Sequence, residues 1–306
     1  MRIGTRGSTL ALAQSALVRR LLPGGERAHE VRVIETSGDR NPQASLRRIG
    51  GKGVFTKEIE QELLDGRIDL AVHSLKDLPT EEMPGLQIGA LLRREDPRDA
   101  VVTKGRAPLA QLPPGSKVGT SSLRRQSQLL ARRPDLAVAD LRGNVPTRIA
   151  RVREGALDAI VIAAAGLRRL GLIEEASETL DEDFMLPAPG QGILALQIRA
   201  GDARMAEALS ALDDQDARAE SEAERSLLSG LGGGCLVPVG ARGRAEAGRM
   251  MLAGFVGHPS GRPSLRMNVE GVVSEAAALG RKLAEMLLQA GAKEILAEVR
   301  SDEIFP

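Results

Sequence analysis

Short apolar runs alternate with segments of helical periodicity through the first two thirds of the chain. The runs are bounded by turn-forming residues, and the segments between them carry apolar residues at helical spacing. The strands that this pattern predicts cover residues 2–6, 31–36, 68–73, 86–92, 117–120, 137–141, 158–163 and 193–198. Strands that alternate with helices in this way are typical of α/β proteins with largely parallel sheets.

The first predicted helix begins after Gly7, with Ser8 as a suitable N-cap, and ends before the Pro-Gly pair at 23–24. Its apolar positions are Leu10, Ala13, Leu17 and Leu21. A strand that turns tightly onto a helix N-terminus presents free backbone N–H groups, which suit an anion. Arg6 and Ser8 lie at this junction, so we expect a binding site there.

The pattern changes after residue 213. A helix at 217–228 leads into a glycine-rich loop, β-like runs follow at 237–241, 251–256 and 265–269, and an amphipathic helix is predicted at 274–290. We therefore expect two α/β lobes joined by two crossovers with a cleft between them, followed by a smaller α+β domain. The expected bounds are 1–93 with 192–212 for the first lobe, 98–187 for the second lobe, and 215–306 for the C-terminal domain.

Composition narrows the class of protein. The 306 residues have 42% apolar and 27% charged side chains, as is ordinary for a globular protein. Neither a long apolar run nor the features of a signal peptide occur, so we expect a cytoplasmic protein. One cysteine excludes an internal disulfide, and three scattered histidines (His29, His73 and His258) do not form a metal site of familiar spacing.

Arginine dominates the positive charge. Lysine accounts for only seven of the 42 basic side chains. The segment from Lys117 to Arg153 contains nine basic residues and two acidic ones. Because the planar guanidinium binds carboxylate or phosphate with two hydrogen bonds, this segment predicts an anionic partner, although a solvated basic face remains an alternative. Nucleic acid is disfavoured, since the chain has four Phe and no Tyr or Trp for base stacking.

Several predicted strands end in residues that could act on an anion. Lys76 and Asp77 follow the strand at 68–73, at the strand end where ligands of open α/β sheets bind, but a turn-forming role is equally open. In the second lobe, residues 120–122 (TSS) cap a helix that carries Arg124 and Arg125 in its first turn. Basic residues at this position oppose the helix macrodipole, and a bound anion would remove the conflict.

Cys235, the only cysteine, follows three consecutive glycines in the run GLGGGCL at 230–236. Glycines leave no side chains in the way of a close approach, so the thiol could be reached by a reactant. A small buried apolar side chain is the alternative, because most free cysteines are of that kind.

The motifs together resemble the porphobilinogen deaminase family, also called hydroxymethylbilane synthases. The matching stretches are spread over all three expected domains: GTRGSTLALAQ (4–14), GGKGVFTKEIE (50–60), AVHSLKDLPT (71–80), VGTSSLRRQSQL (118–129), LRGNVPTR (141–148), DAIVIAAAGLRRLG (158–171), LPAPGQG (186–192) and GGGCLVPVG (232–240). The resemblance implies two periplasmic-binding-protein-like α/β lobes around a cleft plus a smaller C-terminal α+β domain. We expect a monomer that acts on a small molecule and binds neither nucleic acid nor membrane.

The resemblance also implies a transferase that joins four porphobilinogen molecules head to tail, with loss of ammonia, to give the linear tetrapyrrole hydroxymethylbilane for haem biosynthesis. It implies a dipyrromethane cofactor held by a thioether to Cys235, formed by thiolate attack on an azafulvene. Asp77 matches the catalytic aspartate, which would protonate the leaving amine and later take up the ring proton. Each pyrrole carries an acetate and a propionate, which would account for the excess of arginine.

Further site residues are implied by position in the matching motifs. The expected cofactor binders are Ser74, Lys76, Thr120, Ser121, Ser122, Arg124, Arg125, Arg142, Gly143, Asn144, Arg148 and Gln191. The expected substrate binders are Arg6, Ser8, Arg48, Lys52, Phe55 and Arg169, of which Arg48, Lys52 and Phe55 match a mobile loop over the site. For each arginine, a surface role remains the alternative. His73 is expected to form structural hydrogen bonds rather than act as an acid or base.

Two other functions stay open. An anion-binding protein would also have two lobes and an arginine-lined cleft, but it would not need Asp77 beside Lys76 or a cysteine on a glycine loop. A Cys235 nucleophile acting with His73 on an acyl group lacks an oriented third member and leaves the arginines unused. Serine at position 127, where other members often have cysteine, excludes attachment at a second thiol.

Overall fold

A computed structural model describes residues 1–40, 53–233 and 237–300 of the chain. The chain divides into two compact units, of which the first comprises residues 1–95 and 192–218. The second unit comprises residues 96–191 and 219–306. Each unit is described by itself below.

Thirteen strands occur among the described residues. In chain order they are β1 (Arg2–Thr5), β2 (Glu30–Val33), β3 (Leu70–Ser74), β4 (Leu86–Leu91), β5 (Asp99–Thr103), β6 (Lys117–Gly119), β7 (Ala137–Ala139), β8 (Ala159–Ala163), β9 (Glu178–Thr179), β10 (Leu194–Arg199), β11 (Val239–Glu246), β12 (Arg249–Gly257) and β13 (Ser264–Val272). They form two five-stranded sheets and one three-stranded sheet.

The described α-helices connect or cover these strands. They are α1 (Thr9–Leu21), α2 (Ser37–Arg40), α3 (Lys57–Leu64), α4 (Leu123–Arg132), α5 (Val145–Arg153), α6 (Ala164–Arg169), α7 (Ala203–Leu209), α8 (Gln215–Gly230), α9 (Ala276–Leu287) and α10 (Lys293–Arg300). No described helix has the length and apolar character needed to cross a membrane.

The sheet of the first unit has the strand order β2-β1-β3-β10-β4. Strand β1 runs parallel to β2 and β3, whereas β10 runs antiparallel to both β3 and β4. The carboxyl ends of β1 and β3 therefore share an edge of the sheet, and the start of β10 lies at that same edge. Leu194, the first residue of β10, pairs with Ser74, the last residue of β3.

Helix α1 begins as predicted, because the hydroxyl of Ser8 accepts a hydrogen bond from the Ala11 N–H at 3.2 Å. The predicted apolar positions do not describe its buried face, however. Leu21 is 46% exposed, whereas Gln14, Ser15 and Val18 are buried. The face is partly polar because Gln14 lies over the end of β3, where its side chain has a hydrogen-bonding partner described below.

The second unit contains a sheet of order β7-β6-β8-β5-β9. Strand β6 is parallel to β7 and β8, and β5 is antiparallel to β8. The sequence pattern did not predict β5, whose run DAVVT follows the charged stretch 93–98. Because β5 runs in the opposite direction, its first residue, Asp99, pairs with Ala163 at the carboxyl end of β8.

The third sheet, also in the second unit, is an antiparallel meander of β11, β12 and β13. Its apolar core includes Leu227 of α8, Leu252 of β12 and Leu283 of α9, all fully buried. The last helix was predicted to end at residue 290, but the chain passes a π-helical turn in which Gly291 has φ of 108° and then continues as α10. Glycine permits this left-handed conformation, so two helices replace the predicted one.

The predicted fold class is confirmed. Two α/β lobes, each built on a five-stranded mixed sheet, occur with a smaller α+β part that carries the three-stranded sheet.

Candidate active site and anion-binding strand ends

The end of β3 places a short polar turn at one edge of the first sheet. Residues Leu75–Asp77 form a single 3₁₀ turn directly after Ser74. Leu75 is 1% exposed, and its N–H donates to the carbonyl of Ile193 at 3.0 Å. This buried anchor holds Lys76 and Asp77 at the strand end, where the sequence predicted them.

A pocket opens above this edge, and Asp77 is part of its wall. The polar and aromatic side chains that line it are Arg6, Ser8, Gln14, Phe55, Thr56, His73, Ser74 and Asp77. The structure thus brings together five of the residues that the motifs single out in the first lobe: Arg6, Ser8, Phe55, Ser74 and Asp77. An acidic group and a guanidinium in one pocket can act on a substrate that carries both an amine and a carboxylate.

Arg6 is held from two sides. Its guanidinium forms a bidentate pair with Asp39, at 2.6 Å from Nη2 and 3.3 Å from Nε, and lies 4.1 Å from the centre of the Phe55 ring. Burial alone would raise the pKa of Asp39, but hydrogen bonds from Arg6 and Thr36 outweigh it and lower the pKa. Asp39 is therefore ionised at neutral pH and fixes the orientation of Arg6.

His73 lies at the same strand end but is only 5% exposed. Burial lowers the pKa of its imidazole to about 4, and the nearby positive charge of Arg6 acts in the same direction, opposed by Gln197. Gln197 in turn donates to the buried carboxylate of Glu60 at 3.0 Å. The imidazole is therefore neutral near pH 7.

Two hydroxyl groups of the pocket are engaged with α1. Ser74 accepts a hydrogen bond from Gln14 Nε2 at 3.0 Å, and Ser8 caps the helix. Both hydroxyls thereby accept one hydrogen bond each, and each can still donate its O–H and accept one further hydrogen bond.

In the second unit, the carboxyl ends of β6 and β7 lie side by side, and hydrogen bonds join the segments that follow them. Ser121 donates from its hydroxyl to the carbonyl of Leu141 at 2.6 Å and accepts from the Leu141 N–H at 3.1 Å. Thr120 accepts from the Ser122 N–H at 3.2 Å, and Ser122 is the N-cap of α4. The three hydroxyl residues therefore shape the start of α4 and tie it to the loop after β7.

That loop carries the second group of predicted binders. Asn144 caps α5 by accepting from the Thr147 N–H at 3.0 Å, and Arg148 donates from Nε to the carbonyl of Gly143 at 2.8 Å. Gly143 has φ of 102°, a conformation that other residues adopt only with strain. Arg142 forms an ion pair with Asp140, with 3.6 Å between Nε and Oδ2. The residues of the two predicted groups thus lie at the same edge of the sheet.

Arg124 and Arg125, in the first turn of α4, are buried and share one carboxylate. Asp99 has no exposed surface, and the two arginines are 3% and 6% exposed. Asp99 Oδ2 accepts from Arg124 Nη1 at 2.8 Å, and Oδ1 accepts from Arg125 Nη2 at 2.7 Å. Gln191 Nε2 donates to Oδ1 as well, at 3.0 Å. The structure therefore groups Gln191 with the two arginines around Asp99.

The ionisation of this cluster follows from burial and charge. Burial tends to raise the pKa of Asp99, but the charges of Arg124 and Arg125 outweigh it and hold that pKa far below its ordinary value. Burial lowers the pKa of Arg124, with the charge of Arg125 acting in the same direction and Asp99 against it. Asp99 is thus ionised at neutral pH. Its negative charge at the start of α4 offsets part of the repulsion between the two arginines and the positive end of the helix dipole.

The remaining predicted site residues fall into two groups. Arg169 is the last residue of α6, at the opposite end of that helix from the strand end of β8. Arg48, Lys52 and Cys235 lie outside the described residues.

Sequence reasoning missed three polar residues that hold the predicted binders in place: Asp99, Asp39 and Gln14. Asp99 could have been found if the apolar run DAVVT had been recognised as a strand. Gln14 and Asp39 gave no comparable signal, because their partners are distant in the chain and are brought close only by the fold.

The donor groups at the strand ends of each unit, taken by itself, suit carboxylate groups. Guanidinium groups, helix N-termini and hydroxyls recur at the edges of both five-stranded sheets, and all of them can bind carboxylate oxygens. In the second unit, the two buried guanidiniums face one internal carboxylate, which leaves one positive charge for a bound acid.

Comparison with known proteins adds sequence relatives. Residues 1–207 match the family described as "Porphobilinogen deaminase, dipyromethane cofactor binding domain", and residues 219–289 match "Porphobilinogen deaminase, C-terminal domain". The porphobilinogen deaminase of Pelobacter propionicus is 46% identical over 99% of this chain and 98% of its own length. That of Thermus thermophilus is 49% identical over 97% of this chain and 98% of its own length.

Two solved structures with similarity to the chain are more distant than these relatives. A double mutant of the BvgS VFT2 domain of Bordetella pertussis has a TM-score of 0.40 and 16% identity, covering 68% of this chain and 84% of that one. An ABC transporter periplasmic binding protein from Brucella ovis has a TM-score of 0.39 and 13% identity, covering 75% and 68%.

The family matches cover most of the chain, and the relatives are similar over nearly their whole length. The chain therefore belongs to the porphobilinogen deaminase family.

Proposed function

We propose that the chain is a porphobilinogen deaminase that joins four porphobilinogen molecules head to tail, releases ammonia and yields hydroxymethylbilane for haem biosynthesis. The observation that carries the proposal is the first-unit pocket, which is lined both by Asp77 after β3 and by Arg6 after β1. Family membership supports the same activity, since the relatives are named for it.

Asp77 is proposed as the proton-transfer group. Its carboxyl protonates the amine that leaves as ammonia, and the resulting carboxylate stabilises the cationic pyrrole and then accepts the proton lost from the ring. The anchored turn supports this role, because Leu75 fixes the backbone next to Lys76 and Asp77. Lys76 would bind a carboxylate of the pyrrole.

Arg6 and Ser8 are proposed to bind substrate carboxylates in the same pocket, beside Phe55 and Ser74. Arg169, Arg48 and Lys52 complete the proposed substrate set. In the second unit we propose that the cofactor binders are the residues of the two joined loops and the buried cluster: Thr120, Ser121, Ser122, Arg124, Arg125, Arg142, Gly143, Asn144, Arg148 and Gln191.

Dipyrromethane, the cofactor that gives the matched family domain its description, supplies when bound the pyrrole end to which substrate is added. We propose that Cys235 holds it as a thioether. We further propose three domains, with bounds at 1–93 with 192–212, 98–187 and 215–306, in a monomeric cytoplasmic enzyme.

The test is turnover of porphobilinogen by the wild type and by Asp77→Asn. We expect the variant to fold normally and to release ammonia at least about a hundredfold more slowly, because general acid–base catalysis contributes roughly that factor or more. Asp65→Asn is the matched control, since Asp65 pairs with Arg67 at the end of α3 and does not line the pocket.

Normal turnover in Asp77→Asn would remove Asp77 from its role. A wild type that binds porphobilinogen without releasing ammonia would instead be an anion-binding protein, the alternative that the arginines also permit.

A further inference from the structure

The buried cluster at the start of α4 contains one residue that no family motif above includes. Asp99 is fully buried, and it accepts hydrogen bonds from Arg124, Arg125 and Gln191. It reaches them because β5 runs antiparallel to β8, which places its first residue at the edge where β6 and β8 end.

The two arginines are not equivalent in this cluster. Arg125 uses all three of its nitrogens, with Nε and Nη2 on Asp99 and Nη1 on the carbonyl of Val161 at 3.0 Å. Arg124 uses only Nη1, which donates to Asp99 and to the carbonyl of Leu186. Its Nε and Nη2 have no hydrogen-bond partner among the described residues.

The charges of the cluster do not cancel. Two guanidiniums face one carboxylate, so one positive charge remains in a site that excludes most water. A buried charge without a counter-charge is costly, and the charged groups that act most strongly on Asp99 and on Arg124 belong to the cluster itself. A single carboxylate from a ligand would neutralise the excess.

We infer that Asp99 is a positioning residue: it locks Arg125 in place and orients Arg124 so that Nε and Nη2 receive a ligand carboxylate. Arg124 then binds the anion through Nε and Nη2, and Arg125 contributes its positive charge from the position in which Asp99 and Val161 hold it. The inference deepens the proposed function and rests on it, because the carboxylate belongs to the pyrrole chain that the enzyme assembles.

The experiment follows covalent loading of the protein. Protein without cofactor is incubated with porphobilinogen, and the gain in intact mass is measured as a function of time and porphobilinogen concentration. In Asp99→Asn, the half-saturating concentration should rise roughly tenfold, because Arg124 and Arg125 lose the charged acceptor that fixes their orientation. This loss of orientation outweighs the added positive charge. Asp99→Glu, which restores the carboxylate, should recover part of this loss.

This concentration dependence separates positioning from a loss of folded protein. A merely structural defect reduces the amount of protein that gains mass and leaves the half-saturating concentration of the folded fraction unchanged. Asp135→Asn is the matched control, because Asp135 pairs with Arg133 at 2.6 Å at the other end of α4 and should leave the concentration dependence as in the wild type.

If Asp99→Asn does not fold, Asp99→Glu replaces it, since the longer side chain keeps the charge but moves the carboxylate relative to Arg124 and Arg125. We then expect a shift of about threefold in the same direction. An unchanged half-saturating concentration in the folded variant overturns the inference and leaves the proposed function intact. A wild type that gains no mass overturns the proposed function and the inference together.

Discussion

Asp39 and Asp99 each hold an arginine that the sequence marks as a candidate anion binder. The motifs identify Arg6 and Arg124 by type and position, but not the carboxylates that orient them. These partners lie 33 and 25 residues away in the chain, so they become visible only when the strands are assembled. At this scale the sequence predicts which side chains are chemically useful, and the fold determines how each of them is oriented.

His73 leads us to predict, at the same scale, how the stability of the folded protein depends on pH. Its imidazole has a pKa of about 4 in the folded protein, whereas an unfolded histidine titrates near 6.5. Below pH 6.5 the unfolded state therefore binds a proton that the folded state does not. Stability from this residue should be complete above pH 6.5 and fall by up to about 3 kcal/mol as the pH approaches 4.

Urea unfolding followed by circular dichroism checks this prediction, because the chain has no Trp or Tyr for fluorescence. Between pH 6.5 and 4, the unfolding free energy of His73→Gln should decline less than that of the wild type. Parallel declines in the two proteins would show that His73 does not carry the effect.

The elements themselves follow from local rules to different degrees. Ser8, Ser122 and Asn144 are the hydrogen-bonded N-caps of their helices. The caps at Ser8 and at residues 120–122 were predicted from the sequence. The buried face of α1 and the presence of a helix after Gly291 could not be predicted from the sequence, because both depend on what each helix packs against. Strand β5 was missed because charged residues precede its short apolar run.

At the scale of elements, a buried carboxylate on helix α8 leads us to predict a loss of stability when it is replaced. Glu224 has no exposed surface, and its carboxylate accepts from the Gly190 N–H at 2.7 Å and from the Gly243 N–H at 2.8 Å. It thereby joins α8 to the segment before β10 and to β11. In Glu224→Gln an amide NH₂ group faces a backbone donor, so we expect the unfolding free energy to fall by about 2 kcal/mol.

The matched control is Glu222→Gln on the exposed face of the same helix. It should change the unfolding free energy by less than about 0.5 kcal/mol. Equal effects of the two substitutions would show that the buried carboxylate is not the source of the stabilisation.

At the scale of the whole molecule, the alternation of strands and helices predicts two α/β lobes and an α+β part, and the sheets have this arrangement. The strand predicted at 193–198 occurs as β10 in the first sheet, between β3 and β4. The order of strands within each sheet could not be predicted, because it depends on pairings between residues far apart in the chain. The matching motifs run from residue 4 to residue 240 and reach all three expected domains, in agreement with family matches to residues 1–207 and 219–289.

The central claim is that this chain builds a pyrrole chain on a cofactor attached to Cys235. The most direct test is the intact mass of the purified protein, before and after incubation with porphobilinogen, compared with that of Cys235→Ser. We predict an excess over the bare 32.5 kDa chain that equals two linked pyrrole units and is absent from the variant. A wild-type mass equal to that of the bare chain, unchanged by porphobilinogen, would contradict the account.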